Sequence, residues 1–230
     1  PIQVHLLHVL RDDERPAESV EKQLMALARR VEDAGVDCTF EILPGDPLAC
    51  IPDAASRFHA DCIAMTVSGR SALDRTVIQS TYHQLREAVT CPVLAMGPRS
   101  DSERGRGARL ETVSCPLDDM ERSQDALPDA AAIALAYGAR LHVPIANWDP
   151  ETAEGIRENA QLRLNSAFTG RIPIECEFTL IESRNLGKSF VRSIENAGAD
   201  LIVTAAEPKS TLAETIHPSV TDSFAMLSTC

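Results

Sequence analysis

The sequence predicts an α/β protein: two tandem, doubly wound, parallel five-stranded sheets, the first copy lacking its first strand and helix and the second its last strand. Three observations carry this expectation. Short continuous apolar runs alternate with apolar stripes at helical spacing along the chain. The chain repeats itself at offsets of 137, 138 and 139 residues. Its 230 residues are 44% hydrophobic and 24% charged, enough for two modules that each bury a core.

In the first copy, Val4 to Leu10 reads as a buried strand. Val20, Leu24, Leu27, Ala28 and Val31 recur at helical spacing until Gly35 stops the helix. A second strand follows at Val36 to Leu43, and Ile51, Ala55 and Phe58 mark the next helix. Cys62-Ile63-Ala64-Met65 is a continuous apolar run, as expected of a parallel strand covered on both faces. Ile78, Tyr82, Leu85 and Val89 form another helical stripe, and Pro92 to Met96 reads as a closing strand. The second copy supplies an opening that the first lacks: a strand at Leu110 to Leu117, then a helix begun or kinked by Pro128 and ending near Gly138. Alternating strands and helices demand right-handed crossovers and a parallel sheet.

The internal repeat fixes the register of the copies. Val4-His5-Leu6 falls on Leu141-His142-Val143, and Val36 to Leu43 falls on Ile174 to Ile181. Ala60 to Cys91 lies over Ala199 to Cys230 without a gap, sharing Ala-Asp-x-Ile at the start and Thr-Cys at the end. Pro1 aligns with Gly138, so the register predicts a sequence taken from a longer chain. The expected organisation is a first domain at 1–98, a linker at 99–108 and a second domain at 109–230. The linker is polar and glycine-bearing; Arg99, Arg104, Arg106 and Arg109 cluster near it, interleaved with Asp101 and Glu103.

Charge and cysteine usage narrow the partners. A formal net charge of −12 opposes binding to a phosphate backbone, so nucleic acid is not an expected partner. The longest apolar stretch, Ala130 to Ala139, is about half of a membrane span, so no membrane is expected, and nothing marks secretion. The cytoplasm is the expected location. Seven cysteines without a Cys-x-x-Cys pair read as reduced and mostly buried, and no metal site is expected.

The stretches Ala60-Asp61-Cys62-Ile63-Ala64-Met65, Gly69-Arg70-Ser71-Ala72-Leu73 and Thr90-Cys91-Pro92-Val93-Leu94 together resemble the universal stress protein family. Pro116-Leu117-Asp118 looks like that family's first-strand ending, and Ala199 to Val203 like its fourth strand. The tandem arrangement resembles the family's two-domain members. ATP-binding members carry Gly-x2-Gly-x9-Gly-Ser/Thr after strand four, where glycines admit the phosphates and helix-start amides face their charge. On that template the first copy reads Thr66-x2-Gly69-x9-Gln79-Ser80, and the second Ala205-x2-Pro208-x9-Pro218-Ser219. Proline removes an amide donor and fixes the backbone, so the second copy is not expected to bind ATP in the family manner.

The resemblance also nominates residues. Asp118 corresponds to the adenine-contacting Asp; it reads either as a base-recognition acceptor or as a helix cap or turn residue. Gly69, Arg70 and Ser80 could hold a phosphate or another anion, or be a turn glycine, a surface charge and a helix hydroxyl. Val9 matches a position lining the nucleotide pocket, or is a buried strand residue. His5 and His142 read as structural strand histidines, and Trp148 either as a pocket cap or, the commoner meaning, as local packing.

No Gly-x-Ser-x-Gly, His-Glu-x-x-His or Gly-x4-Gly-Lys-Ser/Thr motif is present, and no catalytic residue is assigned. The expected function is a cytoplasmic stress-response binding or regulatory module, not an enzyme. The expected partners are a small anionic or nucleotide ligand, ATP or another adenine nucleotide in domain 1 being the candidate cofactor. The expected assembly is a monomeric pseudo-dimer or a homodimer. Two alternatives stand beside this reading: an ATP-binding or weakly ATP-hydrolysing protein using domain 1, and a soluble regulatory region of a larger transporter or signalling chain.

Overall fold

A computed structural model describes residues 2–10, 18–67, 81–97, 109–118, 121–147, 149–168, 175–182 and 186–205. The chain divides into two compact units, Pro1–Met65 with Gly69–Leu94, and Thr66–Ser68 with Ala95–Cys230. Strands and helices alternate. The first elements are β1 (Gln3–Leu10), α1 (Glu18–Glu32), β2 (Asp37–Pro44), α2 (Pro47–Arg57), β3 (Ile63–Thr66), a helix described over 81–88 (α3) and β4 (Val93–Met96). Then come β5 (Thr112–Ser114), a 3-10 turn at Glu121–Ala126, α4 (Leu127–Tyr137), β6 (Arg140–Ala146), α5 (Pro150–Ala167), β7 (Cys176–Ile181), α6 (Leu186–Asn196) and β8 (Leu201–Ile202).

Local sequence accounts for the helix limits. In α1, Leu24 and Ala28 lie four residues apart and are both buried, so one stripe faces inward. Glu18 and Glu21 sit in its first turn and Arg29 and Arg30 in its last, each matching the nearby end of the helix dipole. Pro128 falls in the first turn of α4, where its missing N–H costs nothing. The same helix ends at Gly138, whose φ of 66° is left-handed, so that the Ala139 N–H reaches the Ala134 carbonyl at 2.8 Å.

The pairs β1–β2, β5–β6, β5–β8 and β6–β7 are all parallel. The second unit holds one sheet of order β7-β6-β5-β8. In the first part of the chain, β1 pairs with β2 and β3 with β4, giving two two-stranded ladders. His5 pairs with Thr39 and His142 with Glu177, so these registers reproduce the sequence offsets of 137 and 138.

β5 is shorter than the strand expected over Leu110 to Leu117; pairing resumes only as a single bridge between Leu117 and Ile145. Two prolines explain the interruption. Arg140 N–H donates to Glu111 and Ala146 N–H to Leu117, so residue 144 should supply the amide for Cys115, and Pro144 has none. Pro116 likewise offers no donor.

The core of the second unit gathers Val113, Leu117, Leu127, Leu141, Val143, Ile145, Ile156 and Leu164. α4 and α5 pack together against β6, and Phe190 and Ile194 of α6 form a further buried cluster with Ala146. Leu141 through Ala146 are all buried, whereas the matching residues of β1 before Leu10 are only partly so.

Candidate functional site

In an open parallel sheet, ligands sit beyond the carboxyl ends of the strands, where strand order reverses. In the second unit that place lies between β5 and β8, because β6 and β7 follow β5 on one side while β8 returns on the other. Asp118 follows β5 there, and Val203, Thr204 and Ala205 follow β8. The Val203 N–H donates to the Ser114 carbonyl at 2.9 Å, which locks the start of the second segment beside β5.

The turn after β5 closes on itself. Ser123 Oγ lies 3.3 Å from both the amide and the carbonyl of Asp118, accepting from the first and donating to the second. Asp118 is thus a partly buried residue at the strand's carboxyl end, as expected, with its main chain fixed by a hydroxyl that the sequence reading did not single out. Its neighbour across the sheet is a second polar corner. Asn147 is 6% exposed; its amide donates to Ile181 at 3.1 Å and its Oδ1 accepts from Asp149 N–H at 2.8 Å. Asp149 then caps α5, accepting from Thr152 N–H at 3.1 Å. The hydrogen bond from the Thr152 hydroxyl, followed by that from its main-chain N–H, holds the Asp149 carboxyl below its ordinary range. The signal for this corner was available as Asn147-x-Asp149-Pro150, an Asx turn running into a capped helix.

Val9, at the end of β1, is partly buried and pairs with Leu43. The following residue, Leu10, is buried and its carbonyl accepts from Gly45 N–H at 2.9 Å. Gly69, Arg70 and Ser80 lie outside the described residues, as do Pro208, Pro218 and Trp148. The structure therefore brings Asp118 to the switch point and leaves Val9 at a strand end in the other unit.

Both strand histidines bond to a neighbouring strand. His142 is 2% exposed; Nδ1 lies 3.1 Å from Ser114 Oγ and Nε2 3.3 Å from Thr179 Oγ1. Burial holds this imidazole below its ordinary pKa, the nearby Arg140 adding to the effect and Glu177 opposing it. Ser114 is fully buried, so this hydroxyl and imidazole form a core bond that no substrate reaches. His5 Nδ1 lies 2.8 Å from Thr39 Oγ1, and its ring stacks on Phe58 with centroids 3.7 Å apart. Glu41 stands 3.2 Å from His5 Nε2; the hydrogen bond from Arg57 is the main cause of its lowered pKa.

The thiols of the second core are inert. Burial pushes Cys115 far above its ordinary value and Cys176 to about 11. Among the described residues no group of three or more His, Cys, Asp or Glu side chains could hold a metal ion, and no helix is long and apolar enough to cross a membrane. A shallow groove of about 730 Å³ between the start of α4 and the outer face of α5, lined by Gln124, Pro128, Ile156, Asn159 and Arg163, lies on helix surfaces and not on residues that close the strands.

An α/β fold with a parallel sheet and polar corners at the strands' carboxyl ends is the class that the second unit defines. Comparison places the first part of the chain further: residues 2–96 match the model of the universal stress protein family. A universal stress protein from Archaeoglobus fulgidus shares 18% identity and superposes with a TM-score of 0.75, covering 96% of this chain and 81% of its own. A functionally unknown protein from Pseudomonas aeruginosa PAO1 shares 15% identity with a TM-score of 0.63, covering 98% of this chain and 80% of its own. At these identities the two structures show the fold alone. No curated protein matches the chain.

Proposed function

We propose that the whole chain is a tandem universal stress protein, a cytoplasmic binding or regulatory module without enzymatic activity. One chain carries two versions of the same unit. The match of residues 2–96 to the family model supports this, as do the paired registers at His5 and His142. Strand order supports it too. β7-β6 in the second unit corresponds through the repeat to β2-β1 in the first part of the chain, and β8 to β3.

The observation that carries the functional reading is the pairing of a fixed carboxyl-end corner at Asp118 with a chain that offers Pro208 and Pro218 where phosphates would need amides. In this reading the second unit does not hold a triphosphate. Gly69, Arg70 and Ser80 leave the first unit able to hold a small anion or an adenine nucleotide, which is the second reading. Equilibrium dialysis against ATP at millimolar concentration, with a phosphate-release assay on the same samples, tests both. Retention of ATP that Arg70→Ala removes supports a site in the first unit, and steady phosphate release above the protein-free rate overturns the non-enzymatic reading.

A further inference from the structure

In the second unit, the 3-10 turn at Glu121–Ala126 and the first turn of α4 border the C-terminal part of α5, and Arg163 Nη1 of α5 donates across to Asp125 Oδ1 at 3.0 Å. The groove between these elements holds about 730 Å³, within the roughly 300–1,000 Å³ usual for small-molecule sites. Gln124 forms part of its wall. That residue is only 7% exposed, and no hydrogen-bond partner of its Oε1 is found among the described residues. A buried amide oxygen without a donor destabilises the fold, and a bound N–H or O–H would relieve it.

The rest of the lining narrows the ligand. Pro128 and the buried Ile156 give the groove apolar surface, and Leu162 adds a large apolar side chain that is 63% exposed. The Ser166 hydroxyl already donates to the Leu162 carbonyl at 2.8 Å. The charges are matched as well: Arg163 and Asp125 face each other as a partly exposed pair, so a carboxylate or an ammonium added beside them gains little. A guanidinium held in an ion pair still presents a planar face, on which aromatic rings stack. An indole-type N–H donates and brings no acceptor that would need a partner of its own. The groove therefore suits an apolar ring with one donor better than an ion.

From these features we infer that the groove between the start of α4 and α5 binds a small, uncharged aromatic molecule carrying a single ring N–H or O–H donor, of the indole or phenol kind. The donor meets Gln124 Oε1, the ring stacks on the Arg163 guanidinium, and its edge covers Leu162 and Pro128. This site lies on helix surfaces, apart from the strand ends that carry Asp118 and Val203, and it rests neither on the tandem reading nor on any nucleotide. Its selectivity comes from the donor: an isosteric ring without one leaves the buried oxygen as it was, and gains only the apolar contact.

The test titrates the full chain with indole and, separately, with N-methylindole to millimolar concentration, following main-chain and side-chain amide resonances by NMR. The expected result is saturable shifts centred on Gln124, Leu162, Arg163 and Ala167, with N-methylindole bound about tenfold more weakly. Gln124→Leu should remove that preference, so that the two rings bind alike. Ala167→Trp, at the exposed last residue of α5, fills the end of the groove and should abolish the shifts; it keeps the test open where Gln124→Leu does not fold. No saturation, equal affinity for the two rings in the native chain, binding that survives Ala167→Trp, or shifts centred on Val203 and Ala205 instead would each overturn the proposal.

Discussion

His59 and Gly198, 139 residues apart, occupy matching left-handed corners at φ values of 49° and 63°. Each ends a helix. Ala60 N–H then reaches the Ala55 carbonyl at 2.9 Å, and Ala199 N–H the Ile194 carbonyl at 3.2 Å, which is the same closing bond 139 residues apart. A side chain in this region is strained by contact between Cβ and the following carbonyl, and glycine is not. Replacing His59 by Gly should therefore stabilise the chain by up to about 1 kcal/mol, and Gly198→Ala should destabilise it by about 1 kcal/mol. Urea unfolding of both variants checks the pair, and opposite signs are required.

The buried imidazole of His142 makes stability depend on pH. Its folded pKa lies below the ordinary value of 6.5, so the unfolded chain binds a proton first as pH falls. Stability is therefore full above that value and declines below it, until the folded pKa is reached. Denaturant midpoints measured from about pH 7.5 to about pH 5.5 should fall in the native chain, and the slope should be shallower in His142→Asn. An equal slope in both would assign the effect to other groups.

Asp200 and Asp61 share a sequence motif but not a burden. Asp200→Ala strips the Thr112 N–H, on a residue only 2% exposed, of its acceptor and should cost about 1–3 kcal/mol. Asp61→Ala removes an exposed carboxylate and should change stability by no more than about 0.5 kcal/mol. Thermal unfolding of the two variants under one set of conditions measures the contrast.

Much of this architecture was legible in advance, for a physical reason. Buried parallel strands read as unbroken apolar runs, and the repeat supplied a second view of several elements, so β1, β2 and α4 fall close to their expected limits. The length of β5 was not legible from its own residues. It depends on Pro144, 28 residues beyond Pro116, standing opposite a carbonyl that only the sheet register identifies. The candidate site divides in the same way. Asp118 was placed by the resemblance of Pro116-Leu117-Asp118 to the universal stress protein family's first-strand ending, whereas the closure by Ser123 and the contact of Asp200 with β5 depend on which loop meets which strand. The Ala-Asp-x-Ile repeat marked Asp200 as notable without saying what its carboxylate receives.

The account depends most on the claim that the second unit keeps the nucleotide-type fold but not its grip on phosphate. Calorimetric titration of the chain with ATP, repeated with Asp118→Ala, tests this directly. The account predicts that Asp118→Ala leaves the ATP isotherm unchanged, whatever binding the first unit contributes. Saturable ATP binding that is lost in Asp118→Ala would contradict it.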